Sequence, residues 1–205
     1  MRVIASVQSK RGSSRGLVHY LAHSKIDLQK EPEKGRELFN AFTEHLSVKS
    51  ANNFLKSDCG KGRPSNDELH HLVLSFKDKD YLLLGSTDDE RKKKLKAVTR
   101  FAIGRLETHL KSDKLAWAAA VHLNTANPHV HIAIQKQYFT KDLKGKTLNK
   151  IPRQALPHFE IIDGQKTIVE GILIESAKDK LEEFIEERSI RRAKDYERNG
   201  HETIP

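Results

Sequence analysis

Residues 115–136 have the sequence LAWAAAVHLNTANPHVHIAIQK, which is the most informative segment about the fold of this chain. Residues 115–123 and 129–136 are rich in apolar and small side chains and predict two β-strands. Asn124 and Pro128 lie between these strands and favour a short turn. We therefore expect the two strands to form a hairpin.

The second strand of this hairpin carries histidines on one face. Side chains alternate between the two faces of a strand, so His129 and His131 project together from a half-buried strand. The opposite, core-facing side consists of Pro128, Val130, Ile132 and Ile134. The first strand ends at His122, and its face otherwise carries the small residues Ala116, Ala118 and Ala120. The hairpin is thus predicted to bring His122 beside the other two imidazoles.

Three imidazoles that converge from two strands predict a metal centre with open coordination positions, as in catalytic sites. Such a ligand set does not select one metal. Intrinsic affinity favours Zn²⁺, Cu²⁺, Ni²⁺ or Co²⁺, whereas supply in the cell favours Mn²⁺ or Mg²⁺. The alternative is a chance H-x-H pair on a surface strand, since the chain has 11 histidines. His122 at the end of the facing strand favours a site for one divalent ion.

The composition indicates an anionic partner. The 205 residues include 37 Lys and Arg against 28 Asp and Glu, which gives a formal net charge of +9. Nucleic acid and anionic lipid are the usual partners of such a protein, and a merely solvated basic surface is the alternative. The basic segments 10–15, 61–63 and 141–153 favour a phosphodiester.

Other protein classes are excluded by what the sequence lacks. The single cysteine, Cys59, can form no internal disulfide, which favours a reducing compartment such as the cytoplasm. No apolar run approaches the roughly 18 residues of a membrane-spanning helix. The first 12 residues lack the apolar centre of a signal peptide, so no membrane insertion is expected.

The rest of the chain predicts alternating strands and helices. Strands are expected at 2–8 and 69–76, and helices at 16–24, 37–54 and 176–192. Thr87 and Glu90 predict a capping box that starts a further helix, whose apolar stripe consists of Leu95, Val98, Ala102, Leu106 and Leu110. Residues 138–170 are basic and irregular, with room for a small hairpin.

A metal centre that acts on a phosphodiester needs a nucleophile, either water or a side chain. A tyrosine forms a covalent phosphodiester and so conserves bond energy for rejoining. Of the 4 tyrosines, Tyr20 stands out because it follows a basic loop rich in Gly and Ser and lies on a short helical stretch. The alternative is that Tyr20 is an ordinary tyrosine of an amphipathic helix.

Three segments together resemble a known superfamily. AVHLNTANPHVHIAIQ (120–135) resembles the third motif of HUH endonucleases, in the form found in conjugative relaxases of the P-type mobilisation family. RGLVHYLAHS (15–24) is similar to their first motif, which carries the nucleophilic tyrosine, and HHLVLSF (70–76) to their second. The order, with tyrosine ahead of H-x-H, implies a relaxase, because replication initiators of the superfamily place the tyrosine after the histidines.

The resemblance implies roles for individual residues. Tyr20 would be the nucleophile, and Ser75 would contact DNA near the scissile phosphate. The metal ligands would be His122, His129 and His131. Asn124 stands where the family commonly has Asp, which leaves a supporting position changed and the general base unassigned, with His70 and His71 as candidates. The implied fold is α+β, a central antiparallel sheet flanked by helices.

The implied function is that of a site- and strand-specific DNA-nicking enzyme of conjugation or mobilisation. It would cut single-stranded DNA at a transfer origin through a reversible 5′-phosphotyrosyl intermediate. The DNA is expected to follow basic side chains at Lys10, Arg11, Arg15, Lys141, Lys144 and Arg153. The resemblance alone implies accessory nicking proteins, a type IV coupling ATPase and a bacterial cytoplasm. Residues 1–205 would form one relaxase domain, with its core in 1–136, an extension over 137–205 and room for a longer protein.

Two other functions fit the same residues. A metal-dependent phosphoesterase that uses water would leave hydrolysed DNA ends and no protein–DNA adduct. A non-catalytic DNA-binding module with a degenerate metal site would bind DNA without cutting it, and Asn124 gives this reading some support.

Overall fold

The structure is a computed structural model that describes residues 1–8, 14–24, 35–56 and 69–199. The predicted loop cations Lys10 and Arg11, the basic segment 61–63 and Cys59 lie outside the described residues.

The described chain is an α+β fold with a central antiparallel sheet, as the resemblance implied. Its strands are β1 (Val3–Gln8), β2 (Leu69–Phe76), β3 (Ser112–Lys114), β4 (Trp117–His122), β5 (His129–Gln135), β6 (Gln137–Thr140), β7 (Gly145–Thr147), β8 (His158–Ile162) and β9 (Gln165–Val169). Its helices are α1 (Ser14–His23), α2 (Val48–Leu55), α3 (Asp78–Leu83), α4 (Asp88–His109) and α5 (Ile172–Asn199), and a short 3-10 turn covers Arg153–Ala155. The central sheet has the strand order β1-β2-β5-β4.

The predicted hairpin is confirmed as β4 and β5, which pair antiparallel with His122 opposite His129. One face of the sheet packs against α4 and α5 in the main core, to which β5 contributes Val130, Ile132 and Ile134. This is the apolar face predicted from the alternation. The burial of branched aliphatic side chains on this face therefore holds the imidazoles on the other.

The second face of the sheet is covered as well, which the sequence analysis did not predict. Helices α1 and α2 pack on the alanines of β4 and β5, namely Ala118, Ala120 and Ala133. The expectation that β5 is half-buried is therefore wrong: Ala133 and Gln135 on the histidine face are 0% and 3% exposed. Methyl side chains let a helix approach the sheet closely, so this face is buried without large apolar residues.

The helix predicted over 37–54 is only partly correct, since α2 begins at Val48. Before it, Phe39 forms an isolated bridge with Ala119 of β4, through backbone hydrogen bonds of 2.9 and 2.8 Å. The Phe39 ring is fully buried and meets Trp117 edge-on. This long-range pairing covers the open edge of β4, and it outweighs the local tendency to form helix.

Helix α4 starts as predicted, with a modified cap. The Thr87 hydroxyl accepts the backbone N–H of Glu90 at 3.3 Å, whereas the Glu90 carboxylate accepts the N–H of Ser86 at 2.7 Å. Hydrogen bonds from the backbone N–H groups of Ser86 and Thr87 hold the pKa of Glu90 below its usual value. The Thr87 hydroxyl thereby satisfies one of the backbone N–H groups that the first turn of α4 leaves without an intrahelical partner.

The C-terminal half adds two small sheets and a long helix. β3, β6 and β7 form one sheet, and β8 pairs with β9, which confirms a hairpin within 138–170. Helix α5 is longer than the predicted 176–192 at both ends, and its first turns supply Leu173, Ile174, Ala177 and Leu181 to the main core. Among the described residues, no helix is both long and apolar enough to cross a bilayer.

The close approach of α1 and α2 to the sheet predicts a cost for larger side chains. Ala133→Leu should lower the free energy of unfolding by about 1–3 kcal/mol, because the larger side chain can be accommodated only by displacing the helices packed on this face. Urea denaturation measures the change, with exposed Ala193→Leu on α5 as the control. Equal stability of the two variants would contradict the tight packing of this face.

Glu44 connects the segment before α2 to α4 through Arg100 and Lys96. We expect this contact to make a pH-dependent contribution to the free energy of unfolding. Burial raises the pKa of Glu44, but hydrogen bonds and charges from Arg100 and Lys96 outweigh it and lower the pKa below the usual 4.5. The native state therefore favours the carboxylate, and its contribution is present at neutral pH and lost as the pH falls through the native pKa.

Glu44→Gln should accordingly reduce the free energy of unfolding at pH 7 by less than about 1 kcal/mol, since the carboxylate is partly exposed. The difference from wild type should vanish in acid, where both side chains are neutral. Urea titrations across pH test this, with exposed Glu186→Gln on α5 as the control. A deficit that persists unchanged in acid would assign the effect to packing instead.

Candidate metal centre

The three predicted imidazoles meet at the shared end of β4 and β5. His122, His129 and His131 each offer one ring nitrogen, and these atoms all lie within 4.8 Å of one another. His122 and His131 are buried, and His129 is partly exposed at the rim. The register that places His122 opposite His129 produces this convergence, because paired residues of antiparallel strands project from the same face.

Two of the rings are oriented by backbone carbonyl groups. The Nε2 atom of His122 lies 2.8 Å from the carbonyl oxygen of Leu21, and Nδ1 of His129 lies 3.0 Å from that of Asn127. A carbonyl oxygen only accepts, so these nitrogens carry the protons and donate. The lone pairs then lie on Nδ1 of His122 and Nε2 of His129, as in histidines that bind metal while donating outward.

The third ring is oriented by another histidine. Nδ1 of His131 lies 2.7 Å from Nε2 of His71, in β2, and both side chains are buried. With Nδ1 directed at His71, Nε2 is the nitrogen that His131 would offer to an ion. Each of the three rings thus offers one nitrogen to a shared position, so the donor set fits a single divalent cation with open positions.

Tyr20 on α1 lies against the same imidazoles. Its ring centroid is 5.5 Å from that of His131 and 6.5 Å from that of His122. Leu21, the next residue of α1, supplies the carbonyl that orients His122. The same turn of α1 therefore carries Tyr20 and, through the Leu21 carbonyl, orients the His122 ring. This sets the distance between Tyr20 and His122.

A pocket of about 490 Å³ opens beside this cluster. Its floor is the uncovered part of the sheet in β1 and β2, and its lining consists of Ile4, Ser6, Gln8, Tyr20, Ser24, Val73, Ser75, His122, Asn124, Thr125, His129 and His131. Ser75 of the second motif and Asn124 of the third thus line the same pocket as the imidazoles and the tyrosine. None of these lining residues is an acid, so among them no carboxylate stands in for the Asp that Asn124 replaces.

The two histidines considered as bases lie on opposite faces of β2. His70 faces away from the pocket, with Nε2 at 2.5 Å from the carbonyl oxygen of Leu148. His71 faces the metal centre, because its position pairs with Ala133 on the histidine face of β5. The contact from His71 to His131 was not anticipated, and the register of β2 against β5 was needed to find it.

The predicted DNA-binding cations do not line the pocket in the described part of the chain. Lys141 and Lys144 are exposed in the turn after β6, which follows the end of β5 far from the imidazoles. Arg153 is exposed and donates to the carbonyl oxygen of Phe159. Arg15 belongs to α1, but its side chain lies outside the described residues.

An antiparallel sheet that presents three imidazoles beneath a helical tyrosine is the arrangement that the relaxase motifs implied. The sequence model of the MobL relaxases matches residues 19–204, and the chain belongs to this family. The match confirms the relaxase resemblance of the three motifs. No curated protein matches the sequence significantly.

One solved structure that partly matches this chain is described as the conjugative relaxase TrwC in complex with oriT DNA, in a metal-bound form. The two chains are 13% identical, with a TM-score of 0.45 over 71% of this chain. The match spans 61% of the length of the TrwC chain.

The candidate ligand set predicts that His129 is needed for metal binding whereas exposed histidines elsewhere are not. His129→Ala should weaken the binding of Mn²⁺ or Ni²⁺ by at least about 100-fold, since even changes behind the ligands cost about 10- to 100-fold. Isothermal titration calorimetry measures the dissociation constants, with exposed His109→Ala as the control. Unchanged binding by the His129 variant would remove it from the ligand set.

Proposed function

We propose that this MobL relaxase nicks one strand of single-stranded DNA at a transfer origin by transesterification onto Tyr20. One divalent ion held by His122, His129 and His131 would support the reaction. The observation that carries the proposal is the shared pocket, in which the Tyr20 ring lies 5.5 Å from the ring of a candidate ligand. A phenol and a cation site this close can act on the same phosphate.

The proposed reaction exchanges one phosphodiester bond for another. The Tyr20 hydroxyl loses its proton and its oxygen attacks phosphorus, while the bond from phosphorus to the 3′ oxygen breaks. The 3′ oxygen takes up a proton, and the products are a 5′-phosphotyrosyl DNA and a free 3′-hydroxyl. The bound divalent ion supplies Lewis-acid stabilisation of charge on the phosphate oxygens. Since the bonds exchanged are similar, the reverse reaction reseals the strand.

Helix α1 serves this reaction by holding the tyrosine rigidly. Leu17, Val18, Leu21 and Ala22 are buried against the alanine face of the sheet. The carbonyl of Leu21 accepts a hydrogen bond from Nε2–H of the His122 ring. The backbone of Tyr20 is therefore held at a fixed position relative to His122, which reduces the entropy lost on reaching the reactive geometry.

The pocket floor offers a path for the nucleotide next to the scissile phosphate. Ser6 and Ser75 present hydroxyl groups there, and Ile4 offers apolar surface on β1. We assign phosphate contact near the site to Ser75. The more distant phosphates would be held by the cations Lys10, Arg11, Arg15, Lys141, Lys144 and Arg153.

The wider setting of the proposal follows from the relaxase resemblance. Residues 1–205 would act as one nicking domain with its core in 1–136. The ion would be Mg²⁺ or Mn²⁺ in a bacterial cytoplasm. The resemblance implies accessory nicking proteins and a type IV coupling ATPase as partners of the protein.

The decisive test is formation of a covalent adduct. The protein is incubated with Mn²⁺ and single-stranded oligonucleotides tiled across the region that flanks its gene, and the products are run on denaturing gels. Wild type and the exposed-tyrosine control Tyr196→Phe should carry DNA into the protein band. Tyr20→Phe should lose the adduct completely, because phenylalanine has no oxygen to attack phosphorus.

The other outcomes separate the rival functions. An adduct on the Tyr20→Phe protein would refute the assigned nucleophile. DNA cleavage by wild type without an adduct would indicate a phosphoesterase that uses water. Tight binding to one oligonucleotide with no cleavage in any metal would indicate a DNA-binding module with a degenerate site.

A further inference from the structure

His71 occupies a position behind the candidate metal centre. It lies in β2, is 2% exposed, and pairs with Gln8 of β1 and Ala133 of β5. Strand alternation therefore directs its ring toward the histidine face of the sheet, where Nε2 lies 2.7 Å from Nδ1 of His131. The two rings also pack together, with centroids 4.9 Å apart and planes inclined by 31°.

The direction of this hydrogen bond follows from the ligand geometry. When Nε2 of a neutral imidazole binds a cation, the ring proton lies on Nδ1. His131 must then donate from Nδ1, and Nε2 of His71 must accept. Because the pair is buried, water cannot easily replace the acceptor, and loss of it would leave a buried donor unsatisfied.

The same imidazole also contacts the proposed nucleophile. The Tyr20 ring meets His71 edge-on with centroids 5.9 Å apart, and it meets His131 at nearly a right angle. Rotation of the His131 ring would therefore disturb both the cation site and the surface on which the tyrosine lies.

We propose that His71 is a positioning residue: it accepts the hydrogen bond from Nδ1–H of His131 and so fixes this ring as a ligand beneath Tyr20. The role rests on the proposed metal centre, but it does not depend on whether the protein uses tyrosine or water as the nucleophile. His71 thus supports the site through a ligand and not through the ion or the DNA.

The chain supplies a matched control in the neighbouring residue. His70 is also a buried histidine of β2, but its Nε2 donates to the Leu148 carbonyl on the other face of the sheet. A general effect of removing a buried imidazole from β2 should appear at both positions. A loss of metal affinity that is transmitted through His131 should appear only when His71 is replaced.

The experiment measures Mn²⁺ and Ni²⁺ affinity by calorimetry for wild type, His71→Leu, His71→Gln and His70→Leu, together with thermal unfolding. His71→Leu should bind about 10- to 100-fold more weakly. His71→Gln should recover most of this loss, since its side-chain oxygen can accept from the same direction. His70→Leu should keep wild-type metal affinity while its unfolding temperature falls.

A second readout reports the hydrogen bond directly. Nitrogen NMR of histidine-labelled, Zn²⁺-loaded protein should show a protected Nδ1 proton on His131 in wild type and His71→Gln. In His71→Leu this proton should exchange faster with solvent. The glutamine variant keeps the test valid if the leucine variant does not fold.

Each remaining outcome has one meaning. Equal metal affinity of wild type and His71→Leu, or an equal loss in His70→Leu, would overturn the positioning role. Wild-type protein that binds neither metal would overturn the metal centre and this role with it. If the metal affinities change as expected but no DNA adduct forms, the positioning role of His71 stands and only the proposed tyrosine chemistry is refuted.

Discussion

The pairing of β4 with β5 is the constraint on which the rest of the site depends. The register places His122 opposite His129 and Ala120 opposite His131. A slip of one residue would move an entire set of side chains to the other face of the sheet. The register is held from the opposite side, where Val130 and Ile132 are fully buried in the main core. The geometry of the candidate metal centre is therefore maintained largely by hydrophobic packing.

Small residues are the second requirement, because they decide how near the tyrosine comes. Ala118, Ala120 and Ala133 form a flat strip on which α1 rests. The helix then carries Tyr20 to the imidazoles and orients one of them through the Leu21 carbonyl. The face that sequence alternation marks as polar thus becomes a buried interface around a polar site.

Sequence patterns predicted the parts of the molecule that are decided locally. The histidine set follows from a period of two along short strands, and the α4 start follows from Thr87. The pattern failed over 37–47, where backbone pairing of Phe39 with Ala119 outweighs helix propensity. The six-residue α3 was missed because so short a helix carries no apolar periodicity.

The sequence alone predicted the four strands of the central sheet, the shared face of His129 and His131, and the motif order that indicates a relaxase. Only the tertiary structure decided that α1 covers this face, and that His71 rather than His70 reaches His131. Alternation places two neighbouring histidines on opposite faces of a strand, but it does not say which of them shares a face with His131, 60 residues away. That choice depends on the register of β2 against β5, which is set by packing of the whole core.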